Sequence, residues 1–535
     1  MLFFNNMFEV NLKLLKTIID DNKNTEYGKK YNFSDIKTID DYKKNVPLSV
    51  YEDYESYIKR MYDGEKNILT VYPIIGYLYT SGSEKFLKKK IPFTKNTEET
   101  LQNKPLLLRN KIMSKYKIEK NIYLLHVDNY HIDINKEPPK DIVLSNISYY
   151  YVYKNKLDDF TRIYGGPDLM FDMDTFDIYY ERIWISILME DIQVMESIYM
   201  FSILQFFIEF EKSYKDIISD IRKRKINTEK RLSEKAKKYL LELPISEERL
   251  QYVEKECQKG FDGIASRLWK NLRFISGIRS KAFIYENKAL DKYIKDIPTG
   301  SLLFALSESY IGFPTEINSF NYSIDPTCSF YEFIPYDEEN ENNNELEKTL
   351  LINEVEAGKY YELVITTLSG FYRYKTKDIL KIIKSNEKEV VIEFHLRKNL
   401  SINMKQEKTT IVHIEHLMKK MDEIIPNIIG FLIGATVYND IATYFLILCL
   451  DNKTLDISIE ELEKKFDLIL FEINEVYKRQ RSYNYLGPAK IIIKNKEEFN
   501  KIQTDITKNQ SHNKQKFIIP EISLNELLKK EGYIN

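Results

Sequence analysis

Apolar positions early in the chain recur at helical spacing with short polar breaks between them, so residues 8 to about 65 are expected to form a run of helices. The pattern changes at residues 74–80. This short apolar run, rich in β-formers, is followed at once by Ser81-Gly82-Ser83-Glu84, and predicts a strand feeding a tight turn. Residues 190–240 read as strongly helical, amphipathic at first and charged at the end, and after a break at Pro244 the helical pattern continues over 245–271. Residues 273–285 and 300–305 then read as buried strands. Two further strand-like runs, 329–335 and 360–368, flank the acidic, low-complexity segment 337–348, which is expected to be a solvated hairpin tip.

After Glu393 the character changes. Apolar residues at Ile411, Ile414, Leu417, Met418 and Met421 have the spacing of an amphipathic helix. Residues 428–437 and 443–450 alternate as two strands joined at Asn439-Asp440. Ser458 with Glu461 has the form of a cap opening a long helix to about Arg481, followed by a strand at 488–494 and a short helix at 497–505. The expected fold is therefore α/β: a large N-terminal domain, residues 1–396, built on β-sheets with a helical insertion near 190–260, and a smaller α+β domain, residues 397–535. The boundary is placed at a hinge near residues 397–399.

Composition narrows the function classes. The chain has 535 residues, 43% hydrophobic and 30% charged, which suits two or three globular domains and excludes wholesale disorder. Its 79 basic and 81 acidic residues leave a net charge of −2, so no global field draws it to nucleic acid. The charged stretch 222–238 mixes both signs through Glu229 and Glu234 and reads as a solvated helix face. Cys257, Cys328 and Cys449 are too widely spaced for a metal or disulfide framework, and Cys449 lies in an apolar run that marks it as core. His413 and His416, three apart with no third ligand nearby, read as structural. The longest apolar stretch, near residues 198–208, is interrupted by Ser202 and Gln205 and too short to span a bilayer, and the start has no basic region typical of a leader. A cytoplasmic monomer without membrane or nucleic-acid partners is expected.

Three segments carry candidate chemistry. Thr80-Ser81-Gly82-Ser83, with Lys88-Lys89-Lys90 after it, can hold phosphate oxygens with hydroxyls and backbone N–H groups, though it is not a Walker loop; the other reading is an ordinary turn beside a basic surface. Ser307-Glu308 follows a buried strand, where α/β proteins place ligands. Glu308 can there hold Mg²⁺, a hard ion that prefers oxygen ligands shared with phosphates; equally, Ser307 can cap a helix with Glu308 in its first turn. Tyr372-Arg373-Tyr374-Lys375-Thr376-Lys377-Asp378 offers an aspartate able to accept both hydrogen bonds of a ribose diol, or else a β-hairpin with a surface ion pair.

The order and spacing of these segments resemble the auxin-responsive-promoter (Gretchen Hagen) family of acyl-acid amido synthetases, within the adenylate-forming superfamily. The resemblance runs collinearly over about residues 24 to 520. It begins at Asn24-Thr25-Glu26-Tyr27-Gly28 and Val46-Pro47-Leu48-Ser49-Val50-Tyr51-Glu52-Asp53-Tyr54 and passes through the Thr80–Ser83 turn, with Lys89 and Pro92 at the family's offsets. It continues through Gly263-Ile264-Ala265-Ser266-Arg267-Leu268-Trp269, Ser307-Glu308-Ser309-Tyr310-Ile311-Gly312, Tyr331-Glu332-Phe333 and Tyr361-Glu362-Leu363-Val364-Ile365-Thr366-Thr367. Asp378 falls in the family's aspartate position. Arg397 and Lys408 keep the family's spacing, Leu486-Gly487-Pro488 fits, and Lys516 occupies a family lysine position.

The resemblance implies an ATP-dependent enzyme that activates a carboxylic acid as its acyl-adenylate and transfers the acyl group to an amino acid or other amine. By the same resemblance Thr80, Ser81, Gly82, Ser83 and Lys89 would line the ATP phosphates. Ser307 and Glu308 would follow, with Glu308 on Mg²⁺, and Tyr372 would adjoin Asp378, which takes the ribose. Arg397 and Lys408 would flank the nucleotide, and Lys516 would arrive from the mobile domain. Lys377 stands where the family has a glycine before its aspartate, and a side chain there is expected to forgo any backbone with φ > 0. Competing readings are an acyl-CoA ligase with the same first step and a nucleotide-binding protein that has lost catalysis.

Overall fold

The computed structural model describes residues 5–79, 89–100, 114–115, 122–127, 141–143, 161–170, 172, 174–278, 284–301, 303–336, 348–398, 401–402, 404–405, 407, 409–451, 457–507, 517–519 and 521–534. It divides into two compact units: Met1–Ser280 with Leu290–His395, and Lys281–Ala289 with Leu396–Asn535. The acidic stretch expected at the hairpin tip falls, over residues 337–347, outside the described residues.

In the first unit the N-terminal helices form where their periodicity predicts. Met7–Asn22 opens at Asn6, whose side chain accepts from the Glu9 N–H, and Ile39–Asn45 opens with a Thr38–Asp41 capping box. Their apolar faces do not pack among themselves alone. Leu15, Ile18, Tyr42 and Tyr54 are buried in one core with Tyr331, Phe333, Leu363, Ile365 and Leu380, from strands three hundred residues later. The buried Asn11 fastens that contact: its amide donates to the carbonyls of Pro326 and Ser329, and its oxygen accepts from the Tyr331 N–H. With donor and acceptor both matched, burying the amide costs little.

Those strands belong to an eight-stranded sheet. Its spatial order is Leu350–Leu351, Phe330–Tyr336, Tyr360–Thr366, Tyr374–Asn386, Glu389–Arg397, Asn321–Ile324, Tyr310–Pro314 and Phe304–Ala305. Phe330–Tyr336 and Tyr360–Thr366 pair antiparallel, as the two strand-like runs flanking the acidic stretch suggest. A second sheet of five strands, Thr161–Ile163, Ile122–His126, Val194–Tyr199, Phe274–Ile278 and Thr299–Gly300, is parallel throughout. A third sheet holds Lys90–Thr94, Ile74–Tyr79 and Asp141–Val143.

Three boundaries differ from the sequence expectation. Residues 190–240 do not begin as helix: Val194–Tyr199 is an inner strand of the parallel sheet, and the helix Met200–Arg222 starts only after it. A short apolar run followed by an amphipathic one has no periodicity of its own, and here pairing on both sides selects the strand. The expected strand over 273–285 stops at Ile278, with a helix from Ile284 to Ile294. The expected strand over 300–305 is two pieces in different sheets, because the chain crosses from the parallel sheet at Thr299–Gly300 to the antiparallel one at Phe304–Ala305.

The second unit is built on Ile428–Tyr438, Ile441–Leu450 and Lys490–Lys494. Asn439 and Asp440 have φ of 49° and 65°, the two-residue turn whose twist suits a hairpin and whose left-handed backbone Asn and Asp tolerate. Residues 443–450 do not alternate, since Ile441–Leu450 is the central strand and is buried on both faces past its first residue. Cys449 is buried there, as its apolar setting predicts. Ser458 caps Ile459–Ile473 through the Glu461 N–H, but the helix ends there. Asn474 leaves helical geometry and caps a second helix, Glu475–Ser482, by accepting from the Tyr477 N–H. Among the described residues, no helix is long and apolar enough to cross a membrane.

Candidate active site

The strand Tyr360–Thr366 leads through Leu368-Ser369-Gly370 into Tyr372-Arg373-Tyr374, and several distant segments are tied to this turn. Gly370 has φ of 98°, and a Cβ there would lie 2.6 Å from the Cβ of Leu69, so only glycine fits the crossing. Tyr372 is fully buried, stacked on Tyr27 with ring centroids 4.8 Å apart, and donates its hydroxyl to the Leu69 carbonyl at 2.7 Å. Its backbone is held as well: the Tyr54 hydroxyl donates to the Tyr372 carbonyl and accepts from its N–H, while Ser49 Oγ donates to the same carbonyl. Burial pushes the Tyr54 phenol up to about 12, which keeps it a donor. Tyr372 therefore has no face left for a ligand. Its expected place beside the nucleotide is corrected: it is a packing residue beneath the site.

Arg373 makes an ion pair that is buried, not superficial. Its guanidinium meets Glu332 with both oxygens engaged, Nε to Oε2 being 3.0 Å, and the two side chains are 7% and 1% exposed. The remaining N–H groups reach the carbonyls of Lys43 and Val46 and the hydroxyl of Thr349. Every arm of the fork thus has a partner, the condition under which a buried pair is tolerated.

Beyond Tyr374 the ladder breaks in a defined way. Val364 pairs with Lys375 and Glu362 with Ile379, so three residues, Thr376, Lys377 and Asp378, stand opposite Leu363 alone. Thr376 repairs the gap, its Oγ1 donating to the Leu363 carbonyl at 2.8 Å and accepting from the Asp378 N–H at 3.2 Å. Lys377 at the crest has φ of 65°. The lysine does not forgo the left-handed backbone but adopts it, because the bulge on either side over-determines the conformation. An αL residue with a Cβ carries roughly 1–2 kcal/mol of strain. Lys377→Gly is accordingly expected to raise unfolding free energy by up to about 1 kcal/mol in urea titrations, once the extra freedom of glycine in the unfolded chain is deducted. The bulge sets Asp378, 3% exposed, on the strand Tyr374–Asn386.

Glu308 arrives from the other edge of the same sheet. Ser307 and Glu308 form the tip of a hairpin, closed by the Leu306 N–H on the Ser309 carbonyl at 2.8 Å, between Phe304–Ala305 and Tyr310–Pro314. The helix-cap alternative is overturned, since a strand follows the turn. The Tyr374 hydroxyl donates to Glu308 Oε1 at 3.1 Å, joining this hairpin to the strand that carries Asp378. Tyr51 stands nearby. Its hydroxyl accepts from the Lys90 N–H at 2.8 Å, and the Lys89 ammonium lies 5.2 Å from its ring centroid. Burial above all, and then the carboxylates of Glu55, Glu52 and Glu308, raise the Tyr51 pKa, so the phenol stays protonated between anion and cation.

The structure therefore gathers Lys89, Glu308 and the Asp378 strand around Tyr51 and Tyr374. Arg397 is half-buried at the end of Glu389–Arg397. Thr80, Ser81, Gly82, Ser83, Lys408 and Lys516 lie outside the described residues. Among the described residues no cluster of three or more His, Cys, Asp or Glu side chains is arranged for a metal. Mg²⁺ is commonly held by one or two carboxylates together with substrate phosphates, and the Glu308 carboxylate has the chemistry such a site would use. Sequence reasoning missed Ser49, Tyr51, Tyr54, Glu332 and Tyr374. Glu332 had a usable signal: an acid inside Phe330-Tyr331-Glu332-Phe333-Ile334, buried on a two-sided strand, demands a cation.

Comparison with solved structures shows the fold to be shared with an acyl acid amido synthetase and an acyl-CoA ligase. It superimposes with a TM-score of 0.80 on AtGH3.15 acyl acid amido synthetase in complex with 2,4-DB, at 19% identity over 98% of this chain and 94% of that one. With 2-hydroxyisobutyryl-CoA ligase in the postadenylation state the TM-score is 0.55 at 9% identity, covering 98% and 91%. The sequence model of the GH3 family N-terminal domain matches residues 2–299 and that of the GH3 family central domain residues 322–397; the chain belongs to the GH3 family. Its relatives include indole-3-acetic acid-amido synthetase GH3.4 of Arabidopsis thaliana, 24% identical over 90% of this chain and 83% of that protein. Jasmonoyl--L-amino acid synthetase GH3.5 of Oryza sativa subsp. japonica is 24% identical over 91% and 87%.

Proposed function

We propose that the protein is an ATP-dependent acyl-acid amido synthetase, an amide-bond-forming ligase that adenylates a small carboxylic acid and transfers the acyl group to an amino acid or other amine. Membership of the GH3 family supports the reaction class. The observation that carries the assignment to these residues is the Tyr374–Glu308 hydrogen bond, which joins the two segments proposed to hold metal and ribose. In the first half-reaction the acid's carboxylate oxygen bonds to the α-phosphorus as the bond to pyrophosphate breaks, and negative charge grows on phosphate oxygens. Lys89, Lys408 and Lys516 would answer that charge, with Ser81, Gly82 and Ser83 donating to the phosphates, Asp378 accepting from the ribose diol and Arg397 on the nucleotide. Mg²⁺, held by Glu308, would neutralise the leaving pyrophosphate. In the second half-reaction a neutral amine attacks the acyl carbon, AMP leaves, and the amine gives up its proton. Residues 397–535 act as the C-terminal domain that carries Lys408 and Lys516, and the protein works as a cytoplasmic monomer.

The test is pyrophosphate release with ATP, Mg²⁺ and a panel of carboxylic acids that includes indole-3-acetate and jasmonate, followed by product mass with amino acids or with CoA. A thioester in place of an amide would select the acyl-CoA ligase instead, and no release with any acid would reject the enzyme. Asp378→Ala should weaken AMP binding in calorimetry, since each charge-assisted bond lost is worth roughly 1.5–3 kcal/mol. Unchanged affinity would remove Asp378 from the ribose.

A further inference from the structure

Glu308 is 8% exposed although it stands at the tip of a hairpin. A carboxylate that leaves water must regain its lost hydration from donors or cations. One donor is in place, the Tyr374 hydroxyl, 3.1 Å from Oε1. Among the described residues no other group donates to this carboxylate, and no lysine or arginine forms an ion pair with it. Tyr51 is the other phenol near Glu308, but its hydroxyl is engaged elsewhere. It donates to the Lys90 carbonyl at 3.2 Å and accepts from the Lys90 N–H at 2.8 Å. The protein thus fixes one oxygen of Glu308, and the other, Oε2, suits a ligand that brings positive charge.

The donor is itself held from several sides. Tyr374 is 2% exposed, and its backbone is bracketed by Ser49 across a parallel bridge. The Ser49 N–H donates to the Arg373 carbonyl at 3.0 Å, and the Ser49 carbonyl accepts from the Lys375 N–H at 2.9 Å. The Tyr374 ring packs on Phe371, with centroids 4.8 Å apart, and meets Tyr54 edge-on at 6.3 Å. On the opposite side Ser309 Oγ lies 2.7 Å from Ser329 Oγ, which ties the hairpin of Glu308 to the start of the strand Phe330–Tyr336. All these groups belong to the first compact unit. Phenylalanine would keep every ring contact of Tyr374, so the hydroxyl has a task of its own. A glutamate on a turn must order its side chain before it can meet an ion, and a hydroxyl anchored in the core orders it in advance. We propose that Tyr374 is a positioning residue for the divalent cation that accompanies ATP, holding Oε1 so that Oε2 faces the cation. This rests on the proposed role of Glu308.

The test is calorimetric binding of a non-hydrolysable ATP analogue to the full-length protein, with and without Mg²⁺, for Tyr374→Phe, Glu308→Gln and the double variant. Tyr374→Phe should bind the analogue as wild type does when Mg²⁺ is absent, and about tenfold more weakly when it is present, the usual cost of losing a group that orients a metal ligand. Its thermal stability should stay close to wild type, because the ring contacts remain. Pyrophosphate release, read with the fastest acid of the panel above, should slow by about tenfold and need more Mg²⁺ for half its maximal rate. The double variant should be no weaker than Glu308→Gln alone, because Tyr374 acts only through the carboxylate. A loss of affinity that is equal with and without Mg²⁺ would make the hydroxyl a structural bond and overturn the positioning role. So would a fall in thermal stability with the Mg²⁺ effect on affinity unchanged, or additive losses in the double variant. Wild-type behaviour in Tyr374→Phe beside an impaired Glu308→Gln would also overturn it and leave the role of Glu308 standing. A wild-type Mg²⁺ effect in Glu308→Gln would overturn that role, and the inference with it.

Discussion

Arg373→Met is expected to lower the unfolding free energy by about 3–5 kcal/mol, the usual consequence of removing one partner from a buried ion pair. Methionine fills much of the space left by the arginine stem, so the loss comes from polarity and not from a cavity. Glu332 would remain 1% exposed with its charge uncompensated, and the carbonyls of Lys43 and Val46 and the hydroxyl of Thr349 would each lose a donor. Arg373→Lys should recover little, since one ammonium cannot serve all of these acceptors at once. The pairing itself is checked by Arg373→Met with Glu332→Leu. Removing both charges together should restore part of the stability lost in the single variant. Urea denaturation of the four proteins measures this, and a single variant as stable as wild type would show that the pair is not the tie it is described to be. The same variant should lose activity along with stability, because Arg373 fixes the turn between Tyr372 and the strand that holds Asp378.

Glu308→Gln should leave the fold intact and slow adenylation by about 10²–10³-fold, the range found when one preorganised electrostatic group is removed from a charge-building step. The substitution is conservative in every local respect. Glutamine has the same length, and its carbonyl oxygen can still accept from the Tyr374 hydroxyl, so the hairpin stays on the sheet. What disappears is the negative charge. The expected signature is therefore specific: unchanged thermal stability, slow pyrophosphate release, and a higher Mg²⁺ concentration for half-maximal rate. A variant with the wild-type Mg²⁺ dependence would separate Glu308 from the metal. A variant that unfolds would assign it a structural role instead.

How much of this was legible in the sequence depended on whether a residue's surroundings were local. The cap at Ser458 announces its helix within a few residues of itself, and the Asn439-Asp440 turn needs only its own backbone. Motif order likewise pointed to the family. The residues that went unread are those whose surroundings come from outside their own segment. Tyr372 looks like a site residue from its neighbours in sequence, and only Tyr27, Tyr54 and Leu69 reveal it as core. Lys377 looks incompatible with a left-handed backbone, until the mismatched register of its two strands is known. Val194–Tyr199 has no helical or strand period of its own, and its neighbours in the sheet decided the matter.

The packing of the N-terminal helices against late strands also constrains how the chain can be made. Tyr54 is bonded to Tyr372 across 318 positions, Asn11 to Pro326 across 315, and Tyr42 to Thr366 across 324. At roughly 5–20 residues per second of synthesis, the first helices leave the ribosome about 15–60 s before their partners exist. During that interval their apolar faces lack the late strands that complete their core, while the parallel sheet, built from residues between, can already assemble. A nascent chain arrested before about residue 330 should therefore protect the parallel sheet from protease and leave the first sixty residues open to cleavage. Release of the eight-stranded sheet's strands from the ribosome is then the event that closes the beginning of the chain.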